Sequence, residues 1–128
     1  EVYRKASELF SLMTCGKWVK VSLGDDGQLL ATNSGHVTRP PQLLSLGTCQ
    51  QLYLALRIAL LMSARNVGAA IPVLADDILV NFDEKRRAGA AAALAELASV
   101  RQVVVFTCHK DVVKALRQAA PDLQEVDL

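Results

Sequence analysis

The sequence predicts an α/β fold, with a mostly parallel sheet flanked by helices and a β-hairpin near the N-terminus. Three observations predict it. Residues 72–75 form a short, continuous apolar run that gives way to Asp76-Asp77, and residues 102–106 form a second that gives way to Thr107-Cys108-His109. Such runs suit buried parallel strands. Helical stretches stand between and after them, and strand-helix-strand-helix alternation implies right-handed crossovers. Upstream, residues 17–23 alternate and run into Gly24-Asp25-Asp26-Gly27, a strong turn signal.

The elements follow in chain order. Val2, Ala6, Leu9, Phe10 and Met13 recur at helical spacing, with Tyr3 and Leu12 widening the stripe, so residues 2–13 read as a helix stopped by Gly16. In the hairpin, Val19, Val21 and Leu23 share one face and residues 28–32 return. Residues 33–41, with Gly35, Pro40 and Pro41, form a loop. Residues 48–66 are apolar nearly all round, which suits a helix packed on several sides in the core. Residues 84–98 form an alanine-rich helix with Asp83 as its N-cap, and 111–119 a further helix stopped before Pro121. Residues 123–128 read as a last edge strand.

Composition bounds the function. The 128 residues give room for one domain, large enough to bury about two-thirds of its unfolded surface. With 52% hydrophobic and 21% charged residues, the chain is neither disordered nor of low complexity. A formal charge of +1 announces neither a nucleic-acid nor a cationic partner. Cys15, Cys49 and Cys108 are odd in number and lack zinc-ligand spacing, which points to a reducing, cytoplasmic home rather than a disulfide framework. The apolar runs are broken by Arg57 and fall short of the roughly 20 residues that span a bilayer, so no membrane role is expected. Residue 1 is Glu and a helical pattern is already running there, as in an excerpt of a longer protein.

Ligands of open α/β sheets bind beyond the carboxyl ends of the strands, so Asp76, Asp77 and His109 should share one rim. Adjacent carboxylates there can divide labour, one holding Mg²⁺ through water and the other activating an attacking water, or they can simply cap the next loop. Leu44-Ser45-Leu46-Gly47 leads into a helix, offering a hydroxyl and free N–H groups at its positive end. That pattern serves either a phosphate or an ordinary N-cap.

Order and spacing together resemble one family. Residues 44–50, Leu-Ser-Leu-Gly-Thr-Cys-Gln, resemble the signature motif of ABC-type ATPases, and Val73-Leu74-Ala75-Asp76-Asp77 resembles Walker B. Asn81-Phe82-Asp83 resembles the D-loop and Thr107-Cys108-His109 the switch histidine. The wording of residues 51–57 and 76–83 is similar to the YhaN-like branch of SMC-type coiled-coil ATPases rather than to transporters. The resemblance implies the C-terminal lobe of a P-loop NTPase head over residues 16–128, with residues 1–15 as the root of a returning coiled-coil arm.

The resemblance also implies roles. Asp76 would orient Mg²⁺, and Asp77 would polarise the hydrolytic water where the wider family usually has glutamate. His109 would contact the γ-phosphate. Ser45 and Gly47 would reach, in trans, the γ-phosphate of ATP bound mainly by a second head, while Asn81 and Asp83 would communicate across the dimer through the D-loop. No G-x-x-x-x-G-K-[ST] phosphate loop occurs, since the lone Gly16-Lys17 pair is followed by Trp18. The Walker A lobe is therefore expected upstream on the same polypeptide, and a second head as the homodimeric partner. DNA is a partner by family inheritance alone, because the basic residues are scattered. Cys49 and Cys108 read as buried core residues, His36 as a surface histidine, and Trp18 and Tyr53 as packing residues.

Two functions follow. One is ATP binding and hydrolysis as half of an SMC-like head, coupled to head pairing in DNA repair or chromosome maintenance; the other is a degenerate lobe that binds protein without chemistry. Asp77→Asn kinetics and nucleotide-dependent pairing separate them.

Overall fold

A computed structural model describes residues 1–64 and 71–128 of the chain. Helix α1 (Val2–Met13) buries Ala6, Leu9, Phe10 and Met13, the i, i+3, i+4, i+7 stripe of the sequence, and leaves Tyr3 and Leu12 exposed. Cys15 and Gly16 then take positive φ values of 54° and 80°, which turn the chain into β1 (Trp18–Leu23). Two hydroxyls fasten the strand to the helix: Trp18 N donates to Thr14 Oγ1 (3.1 Å) and Val21 N to Ser7 Oγ (2.8 Å).

β1 pairs antiparallel with β2 (Leu29–Asn33), which pairs antiparallel with a short β3 (Thr38–Arg39) inside the stretch read as a loop. The turn residue Gly27 has φ 79°, as the hairpin signal requires. Val19, Val21 and Leu23, expected on one face, are not buried together. The register shifts between Trp18 and Lys20, and this bulge brings Trp18 and Val21 to the buried side while Val19 and Leu23 lie exposed. Trp18 packs on Phe10, with ring centroids 6.2 Å apart.

A 3₁₀ turn over Pro41–Leu43 leads to α2 (Leu46–Ser63). Of the predicted helix, Arg65 and Asn66 lie outside the described residues. α2 is not enclosed on all sides: Thr48, Gln51, Leu52, Ala55, Ile58 and Ala59 face the core, whereas Leu46, Tyr53 and Leu60 are exposed. Its buried Gln51 donates from Nε2 to the Met13 carbonyl (3.0 Å), and Arg101 donates from Nη2 to the Ala64 carbonyl (2.8 Å) at the negative helix end.

β4 (Val73–Asp76) and β5 (Val103–Phe106) form a two-stranded parallel sheet, the crossover being α3 (Glu84–Ala98). The predicted parallel sheet is thus small, and Leu74 is 69% exposed on it among the described residues. Gly89 of α3 lets the helix meet α1 backbone to backbone, since a Cβ there would lie 2.7 Å from the Met13 carbonyl oxygen.

α4 (Lys110–Ala119) buries Val112 and Ala115. The predicted edge strand over 123–128 does not form. That segment lies instead along a groove lined by α3, β5 and α4, held by a two-bonded Arg117–Glu125 ion pair at 2.7 Å. Its alternation of acids with Leu123 and Val126 suits an open groove better than a ladder. Among the described residues no helix is long and apolar enough to cross a membrane.

Candidate functional site

The site forms where β4 and β5 end. Asp76 pairs with Phe106 in the last register position of the sheet, and Asp77 N continues the ladder by donating to the Phe106 carbonyl (2.9 Å). There the strand breaks. Asp77 adopts φ 51°, a left-handed conformation that aspartate tolerates better than most side chains and that redirects the chain into the loop before α3. Its Oδ1 is buried with no hydrogen-bond partner. A buried carboxylate oxygen without a donor is costly, so this one calls for an explanation.

β5 delivers the facing residues. His109 N donates to Thr107 Oγ1 (3.1 Å), a short turn that fixes the backbone ahead of α4 and makes His109 its N-cap residue. The His109 side chain makes no cap hydrogen bond and stands exposed. Ligand atoms of Asp77, Cys108 and His109 lie within 4.8 Å of one another. Asp77 and His109 thus come together at the strand ends, whereas Asp76 is exposed and is not one of the converging groups. Cys108 departs from expectation. It is exposed, because it lies in the loop past the sheet end, and Cys49 is half-buried on the open side of α2.

A hollow of about 460 Å³ connects Asp77 to α2. Leu46, Gln50, Tyr53 and Arg57 line it from the helix, and Ile78, Asn81 and Phe82 from the loop. Tyr53 is thus a wall of this hollow rather than a core residue.

The helix start is built as a cap. Ser45 Oγ accepts from Thr48 N (3.2 Å) and shares a hydrogen bond with Thr48 Oγ1 (2.8 Å). Gly47 sits against the Arg86 guanidinium, so close that a Cβ would lie 2.7 Å from it. Arg86 in turn pairs with Asp83 (3.0 Å), whose other oxygen accepts from Arg86 N (2.8 Å) and caps α3. The structure therefore brings Asp77 to His109, and Gly47 to Asp83 through Arg86. Ser45 meets neither acid.

Sequence reasoning missed Cys108 and Arg86. The signal for Arg86 was its spacing three residues after an N-cap aspartate, which favours an ion pair. Cys108 had the weaker signal of adjacency to the strand-end histidine.

No protein-family model matches the chain. The uncharacterized protein YhaN of Bacillus subtilis is 34% identical over 117 residues, spanning 89% of this chain but only 12% of that protein. Among solved structures, an SMC ATPase described for ATP-driven dimerisation and DNA-stimulated activation superposes with a TM-score of 0.71 at 18% identity, over 89% of this chain and 71% of that one. The SMC head domain from Thermotoga maritima gives 0.70 at 22% identity, over 89% and 40%. Sequence and fold point the same way: the chain belongs to the YhaN-like family and has the fold of SMC head domains.

Proposed function

We propose that the chain is the C-terminal half of an ATP-hydrolysing head whose active site closes between two heads. The observation that carries this reading is the convergence of Asp77 and His109 at adjacent parallel strand ends. Asp77 activates the attacking water. Its orphaned Oδ1 is an acceptor held in reserve in a fixed backbone position, which is what a general base needs. His109 holds the water against the γ-phosphate from the other strand.

Ser45 and Gly47 meet the γ-phosphate of the partner head's nucleotide. The α2 N-terminus supplies free N–H groups, and the Ser45 hydroxyl exchanges Thr48 for a phosphate oxygen. Asn81 and Asp83 lie on the loop from the catalytic aspartate to α3, and Asp83 reaches the α2 start through Arg86 against Gly47, so pairing of heads and alignment of the water are coupled.

Mg²⁺ fits Asp76, an exposed carboxylate at the strand end and a hard ligand of the kind Mg²⁺ takes through water, which leaves the unpartnered Asp77 oxygen to the attacking water. When bound it neutralises phosphate charge. The phosphate-cradling Walker A lobe comes from upstream in the same polypeptide and covers the open face around Leu74. Residues 1–15 are the root of a coiled-coil arm. Pairing of two such heads would move or lock the arms, in DNA maintenance within the cytoplasm.

Full-length protein carrying Asp77→Asn should bind ATP normally and turn it over about 10²- to 10⁴-fold more slowly. Turnover at the parental rate overturns the assignment. Ser45→Arg should abolish ATP-driven head pairing in sedimentation. Partner binding that ignores ATP in both proteins would favour a scaffold without chemistry.

A further inference from the structure

We propose that Asp77, Cys108 and His109 form a binding site for a thiophilic divalent cation of the Zn²⁺ class. The three side chains differ in chemistry yet converge, with carboxylate oxygen, thiol sulfur and imidazole nitrogen within 4.8 Å of one another. In tetrahedral coordination, Zn–S of about 2.3 Å and Zn–N or Zn–O of about 2.0–2.1 Å place ligand atoms roughly 3.5 Å apart. Rotation of side chains closes that gap. Their backbones are already set, Asp77 by its bond to the Phe106 carbonyl and its left-handed φ, and His109 by Thr107 Oγ1.

Two further features point to a cation. Asp77 carries a buried Oδ1 without a donor, so its carboxylate has acceptor capacity that the protein leaves unused. Cys108 and His109 are exposed, which leaves an entry path and a fourth position open to water. On binding, Cys108 releases its Sγ proton to solvent, and thiolate and carboxylate together balance the ion's two charges. Mg²⁺ is a hard ion that avoids sulfur, so Cys108 is the residue that distinguishes this site from an oxygen-only Mg²⁺ site.

Occupancy takes Asp77 and His109 away from water and phosphate. Inhibition of ATP turnover by Zn²⁺ is therefore expected, and this consequence, unlike the binding itself, rests on the catalytic roles proposed above.

The test uses full-length protein and Co²⁺ as a spectroscopic probe. The parent should show a thiolate-to-cobalt charge-transfer band that Zn²⁺ displaces; Cys108→Ser should lose the band and bind Zn²⁺ at least about 10-fold more weakly. Cys108 is exposed, so serine does not disturb packing, and His109→Gln provides a second variant with the same expected loss. Absence of a Cys108-dependent band, or equal Zn²⁺ affinity in parent and Cys108→Ser, overturns the site. Zn²⁺ binding that leaves ATP turnover unchanged supports the site and overturns instead the assignment of Asp77 to hydrolysis.

Discussion

Around α1, polar groups and apolar faces find partners within the chain: Ser7 and Thr14 take the amides of β1, Gln51 takes the Met13 carbonyl, and Phe10 and Trp18 stack. At the ends of β4 and β5 the opposite holds. Asp77 Oδ1 is orphaned, its backbone is left-handed, and Leu74 and Phe106 lie exposed on a two-stranded sheet. The contrast teaches that the chain concentrates its internal pairing in one region and leaves its candidate site in another. A rigid base can hold an aspartate in an unfavourable environment that a self-contained site would relax.

The comparison breaks most visibly through Asp77→Asn. Beyond the loss of turnover stated above, this variant should unfold close to the parental midpoint, since asparagine tolerates the left-handed region and fills the same space. A large loss of stability would show that the rim carries structure after all. On the closed side, Phe10→Ala should cost about 3–5 kcal/mol in chemical denaturation, because the ring is fully buried against Trp18. ATP affinity per folded molecule should not change.

Gly89→Ala sharpens the comparison at the α1–α3 crossing. The added methyl meets Met13 backbone rather than a movable side chain, so a loss of about 1–3 kcal/mol is expected in the same assay. The smallest effect belongs to the C-terminal segment. Arg117 beside Glu125 holds that carboxyl below its ordinary value of 4.5, so the ion pair's contribution is present above that value and disappears as pH falls through the lowered one. Hydrogen exchange should report earlier release of residues 123–128 on acidification, and at neutral pH in Glu125→Gln, with no shift in global unfolding. The pair is exposed and solvent-screened.

Much of this was legible beforehand, for identifiable reasons. The α1 stripe, the Gly27 turn, the Asp83 cap and the strand-end placement of Asp77 and His109 depend on period, φ and sequence-local hydrogen bonds. The inward face of β1 was not legible, because the bulge near Val19 arises from pairing with β2. Nor was the openness of α2. A helix apolar on nearly every side reads as enclosed, while among the described residues one side meets α1 and α3 and another walls the hollow beside Asp77.

Residue order by itself determined the alternation of strands and helices and the punctuation between them, since each is set by neighbours within a few positions. Tertiary structure alone decided that Cys108 joins Asp77 and His109, that Arg86 presses on Gly47, and that residues 123–128 fold back on a groove instead of extending the sheet. Those outcomes depend on how separate elements approach one another. That approach is governed by packing shape, by pairing register and by where the chain leaves a face uncovered, none of which is written in a local pattern.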